Sequence, residues 1–166
     1  MLIAILRPTI NTNMDTHKQI HSLTTLRQFT VSTIEGLTET QFNQIPVGFN
    51  NNIIWNVGHM IAAQQGVCYL RAGVPTIISD EFYTNYKPGS KPDSHVSIEE
   101  IQEIKLLLLN SLEYLATDLE SKLFEGYVPW TTRYGVEMSN IDQALDFLPF
   151  HDGMHLGYIM ALKRLV

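Results

Sequence analysis

Four stretches of helical period, each with its own start or stop residues, constrain this chain more than any other feature. The first runs from about Asp15 to Leu37. Ile20, Leu23, Thr30, Ile34 and Leu37 fall on one side at helical spacing, and Asp15 is placed to cap. A turn-like piece, LTETQFNQIP, follows, and Pro46 and Gly48 forbid continuation. The second stretch runs from about Asn52 to Ala72 and stops at Gly73 and Pro75. The third opens at Ser97, whose SIEE is a capping box with Glu100 reaching back, and continues to about Glu125. The fourth runs from near Ser139 to the C-terminus, where Lys163 and Arg164 suit the negative end of a helix dipole.

The connections suggest how these helices stack. Residues 73–96 hold three prolines and no helical period, which marks a crossover or a lid. Residues 126–138 read as a small β-hairpin with Gly135 near its turn, and strand is expected only over about 128–138. Short links make the first and second helices antiparallel, and the hairpin does the same for the third and fourth. The long crossover lets the second and third run parallel. The expectation is an all-α, up-down-down-up four-helix bundle. Met14 begins a better opening than Met1, so residues 1–13 read as an N-terminal extension and 14–166 as a single domain.

Composition removes several functions. Hydrophobic residues make up 45% of the chain and charged ones 17%, which is globular. The net charge is −6 with no basic block, so a nucleic-acid backbone is not an expected partner. No apolar run reaches the length of a membrane span, and the apolar start has neither a basic region before it nor a cleavage site after it. The one cysteine, Cys68, excludes a disulfide framework and a cysteine zinc finger, and its apolar neighbours make it a buried structural thiol. The reading is a soluble, cytoplasmic protein.

Chemistry rests on the histidines. His17 and His21 are spaced to chelate, as are His151 and His155, because residues four apart share a helix face. His17 and His21 lie with Thr24 and Gln28, away from the apolar stripe, and read as surface residues. His151 and His155 are centred among Ala144, Phe147, Leu148, Tyr158, Ile159 and Leu162, where unpartnered rings would be costly. A third inward histidine, His59, shares its side with Trp55, Ala62, Ala63 and Gly66, small residues that leave room. If the second and fourth helices are antiparallel, all three lie at matching depth. Three histidines without a carboxylate leave one coordination position open, the pattern of a catalytic centre for Zn, Ni, Fe or Co. Asp152, beside His151, reads as a solvated residue at the edge of the stripe.

NNIIWNVGHM followed much later by HDGMHLGYIM resembles the DinB-like superfamily of four-helix metalloproteins, and the resemblance covers nearly the whole chain. It implies a divalent metal bound by His59, His151 and His155. The family often carries Gln where this chain has Tyr158. Members of known activity include transferases and isomerases that use low-molecular-weight thiols.

Three functions follow as expectations. The first is a metal-dependent transferase that activates a small thiol for attack on an electrophile, with Phe82, Tyr83 and Tyr86 of the crossover roofing the pocket. The second is a metal-dependent hydrolase of esters or amides, against which stands the lack of an inward acidic base in either motif. The third is a non-catalytic, stress-associated metal-binding protein. Ile54 and Ile61, away from the His59 side, fit a homodimer face as well as a deep core.

Overall fold

The computed structural model describes residues 12–166, with side chains from residue 16 onward. The proposed extension, residues 1–13, falls almost wholly outside the described residues. The chain is mostly helical, with one two-stranded antiparallel sheet. The first helix, α1, spans Thr12–Thr33. Its backbone is already helical at Thr12, so Asp15 lies inside the helix and not at its cap. The turn-like piece contains a short helix, α2 (Glu39–Asn43), opened by a capping box between Thr38 and Gln41.

Asn52 caps α3 (Ile53–Gln64) by accepting from the Trp55 amide at 2.9 Å. The helix then widens into a π-helical stretch, Gln65–Leu70, where one continuous α-helix was expected. Gly73 ends it in the left-handed conformation (φ +70°), as the stop signal requires. The crossover is not structureless: Ser79 caps a short helix, α4 (Asp80–Tyr86).

The capping box of Ser97 and Glu100 opens α5 (Ile98–Glu120) as expected. The helix stops short of Glu125 because Lys122 turns left-handed (φ 57°) and the Leu123 amide reaches back to the Asp118 carbonyl at 3.1 Å. The hairpin pairs β1 (Trp130–Thr131) with β2 (Glu137–Met138), and Gly135 takes the positive φ of its turn. Finally, Asn140 caps α6 (Ile141–Leu162), which carries Pro149 in its interior.

The four long helices surround the core: α1 packs on α5 and α6, and α3 packs on the same two. Leu23, Ile34, Ile61, Leu108, Leu112, Leu148 and Ile159 are fully or almost fully buried there. Ile54 and Ile61 belong to this core, which removes the basis for reading them as a homodimer face. Among the described residues no helix is long and apolar enough to cross a membrane.

The centre of the fold is polar. Arg27 of α1 is wholly buried and bonds to each of the other three long helices. It donates to Gln64 Oε1 (2.7 Å) and the Met60 carbonyl (3.3 Å) on α3. On α5 it donates to the Leu108 carbonyl (3.0 Å) and Ser111 Oγ (2.9 Å), and on α6 to Asp152 Oδ2 (2.8 Å). Asp152 is therefore a wholly buried ion-pair partner, not the solvated residue its sequence neighbourhood suggested.

Candidate metal centre

α3 and α6 bring His59, His151 and His155 together at their contact. Ring centroids are 5.3 Å apart for His59 and His151, 4.7 Å for His59 and His155, and 4.6 Å for His151 and His155. One ring nitrogen from each lies within 4.8 Å of the others. The other predicted pair, His17 and His21, is exposed on α1, away from this cluster.

What suits the cluster to hold a metal ion is the partner each ring has on its far side. His59 Nδ1 lies 2.7 Å from the Tyr86 carbonyl, which can only accept, so that nitrogen carries the proton. His155 Nδ1 lies 2.9 Å from Asn56 Oδ1. The Asn56 amide is itself oriented, because its Nδ2 donates to the Asn52 carbonyl (2.7 Å) and to Asn51 Oδ1 (3.3 Å). His151 Nδ1 lies 3.3 Å from Asp152 Oδ1, and the other oxygen of that carboxylate is held by Arg27. With every Nδ1 facing an acceptor, Nε2 is left as the nitrogen with a free lone pair. This is how metal-ligating histidines are oriented and made more basic.

Each position of the Trp-Asn-x-Gly-His motif has a separate task. Trp55 stacks flat on His59, 4.7 Å between centroids and 9° between planes, and its indole N–H donates to Ser90 Oγ. Asn56 orients His155. Gly58 makes room for the Tyr86 ring: a Cβ there would sit 2.4 Å from a ring carbon, inside contact distance. That close approach seats the Tyr86 carbonyl against His59. The crossover thus contributes a backbone oxygen to the site, which no residue-type pattern announces.

Burial pushes the His59 imidazole down to about 4, partly opposed by its bond to Tyr86. It pushes His155 down to about 3, helped by the neighbouring His151 and His59 rings. Both are neutral at physiological pH and need shed no proton to ligate. Burial raises Asp152, but Arg27 and His151 outweigh it and hold the carboxyl below its usual range. Cys68 is wholly buried and its thiol is pushed up to about 12, so the expected structural role stands.

A stability consequence follows for the metal-free protein. Between pH 6.5 and about 4, the unfolded chain protonates His59 and His155 while the folded chain does not. Stability should therefore be full above pH 6.5 and fall as pH drops, by up to about 1.4 kcal/mol per pH unit for each ring. Urea denaturation of metal-free protein at pH 7, 6 and 5 measures this. A flat profile would mean that the two rings accept protons in the folded state.

A cavity of about 410 Å³ opens against His59 and His151. The π-helical stretch supplies Gly66, Val67 and Leu70 to its wall, and the hairpin supplies Trp130, Thr132, Arg133 and Tyr134. Of the three crossover aromatics expected to roof a pocket, Tyr83 lines the cavity, while Tyr86 is buried in the core and Phe82 packs against it with ring centroids 4.6 Å apart. Among the described residues, no Asp or Glu lines it. The arrangement can present a metal with an open position to a molecule bound in a largely apolar pocket.

No curated protein matches the chain. The family model of the DinB superfamily matches residues 22–159, which include the core arginine and all three clustered histidines. The chain belongs to the DinB superfamily.

Proposed function

We propose that this protein is a metal-dependent enzyme that activates a small thiol for attack on an electrophile, with His59, His151 and His155 holding one divalent metal. The observation that carries the reading is the convergence of three imidazoles, each with an acceptor at Nδ1, two of them on the wall of a 410 Å³ cavity. A divalent metal held by these three histidines would lower the pKa of a thiol at its open position. The protein's own part is to orient the three rings, to exclude water with Trp55 and Tyr86, and to seat the electrophile between α3 and the hairpin.

The cavity favours thiol transfer over hydrolysis. A hydrolase needs a group to take a proton from water, and among the described residues no carboxylate lines the cavity. Asp152, the acid nearest the cluster, is occupied by Arg27. A thiol that ionises readily needs no such base.

The same reading takes α1, α3, α5 and α6 as an up-down-down-up bundle, supported by their mutual packing and the long connection between α3 and α5. It takes the protein as cytoplasmic, in keeping with a single cysteine that is free and buried.

Cobalt substitution tests the reading. Addition of a small thiol such as 2-mercaptoethanol to cobalt-loaded protein is expected to produce a sulfur-to-cobalt charge-transfer band. Turnover of electrophiles should then depend on added thiol. If cobalt stays bound and no thiol produces the band, thiol activation loses its basis. Thiol-independent ester or amide cleavage would favour a hydrolase, and silence across a broad panel a binding protein.

A further inference from the structure

The chain carries an excess of acid, yet among the described residues the cavity beside the histidines is lined by two arginines and no acid. Arg71 follows the π-helical stretch, and its guanidinium lies over the Trp130 ring, 4.2 Å from the centroid. Arg133 sits at the hairpin tip over the Tyr134 ring at 4.9 Å and donates to the Tyr134 hydroxyl at 2.7 Å. Among the described residues neither guanidinium has a carboxylate partner. The contrast with Arg27 is direct, since that arginine spends its donors on the core.

We infer that this cavity selects a small molecule bearing an anionic group, a carboxylate or similar oxyanion, which Arg133 and Arg71 bind while the rest of the molecule reaches the histidine cluster. Three features support this. Each arginine lies over an aromatic ring, which anchors its guanidinium beside the cavity, and neither spends its N–H groups on a carboxylate among the described residues. Their positive field falls on a largely apolar, partly enclosed space, where a charge-assisted hydrogen bond is stronger than in water. The arginines also come from two different elements, the end of the π-helical stretch and the hairpin, and line one cavity. A wall with two cations and no carboxylate repels a cationic ligand and offers a neutral one little beyond apolar contact. The volume lies within the range of small-molecule sites. The inference names the substrate class of the site proposed above and rests on that reading.

The test uses the full chain, both metal-free and zinc-loaded, titrated with succinate and with its uncharged isostere succinamide. The readout is the Trp130 indole N–H resonance, beside the proposed anion position. Succinate is expected to shift it saturably and succinamide is not. Arg133→Gln and Arg71→Gln should each weaken succinate about tenfold, the loss of one charge-assisted contact. Equal response to both ligands, no response to succinate, or unchanged affinity in both variants would overturn the inference. The metal-free arm separates this result from the metal reading. Succinate binding without zinc uptake would leave the anion pocket standing and remove the metal centre. Zinc uptake without a succinate response would do the reverse.

Discussion

Replacing Arg27 with methionine is expected to destabilise the protein by about 3–5 kcal/mol, the usual cost of leaving one partner of a buried ion pair alone. Its five hydrogen bonds reach α3, α5 and α6, and all its partner atoms lie away from solvent. Methionine fills a similar volume, so the loss reports on polar groups left behind and not on a cavity. Asp152→Ala should cost a comparable amount. The double variant should lose less than the sum of the two, because the second change removes a charge already stranded by the first. Urea denaturation of the two single variants and the double variant measures the coupling. A loss below about 1 kcal/mol for Arg27→Met would mean that water enters and replaces the guanidinium.

This network also ties the core to the candidate metal site. Arg27 fixes one oxygen of Asp152, and the other faces His151 Nδ1. A change on α1 should therefore loosen a ring on α6 that it never touches. Metal affinity of the Arg27→Met protein should fall even where the fold survives, in the about 10–100-fold range typical of losing an outer-shell partner.

The position of Arg27 shows how far the sequence could be read. Three of the long helices, α3, α5 and α6, were legible because they are capped, with Asn52, Ser97 and Asn140 each accepting from the amide three residues on, whereas α1 showed by its period alone. Cys68 and the three histidines were legible because side-chain type and helical phase agreed. Arg27 lies in the same stripe as Leu23, Thr30 and Ile34, and Asp152 in that of Leu148, Leu156 and Ile159. Asp152 read as a solvated residue at the stripe's edge because of its charge, and nothing singled out Arg27; charge is the weaker guide once two opposite charges meet in the core. The short helices α2 and α4 were missed because five to seven residues carry barely a period, although the Thr38–Gln41 box was visible. The end of α5 was illegible in principle, since a lysine takes the left-handed position where a glycine would have signalled it. The Tyr86 carbonyl at His59 belongs to the backbone of a distant segment and leaves no trace in side-chain pattern.

The two chelate-spaced histidine pairs are expected to behave oppositely. The double variant His151→Ala/His155→Ala should lose its metal, and His17→Ala/His21→Ala should keep it, as measured by elemental analysis of protein purified without a histidine tag. The first pair is backed by Asp152 and Asn56 and faces His59 across the α3–α6 contact. The second is exposed on α1, where nothing excludes water from the rings. Loss of two ligands should exceed the about 10–100-fold weakening seen when only an outer-shell group is removed, and Asn56→Ala should fall in that smaller range. Helicity should survive in every variant, because most of the core is aliphatic and extends along the helices beyond the cluster. Equal metal loss from the two double variants would mean that burial and orientation do not decide where the metal sits. Retention of metal by the His151→Ala/His155→Ala protein with its helicity intact would place the ion elsewhere, and the proposed thiol activation beside the 410 Å³ cavity would lose its centre.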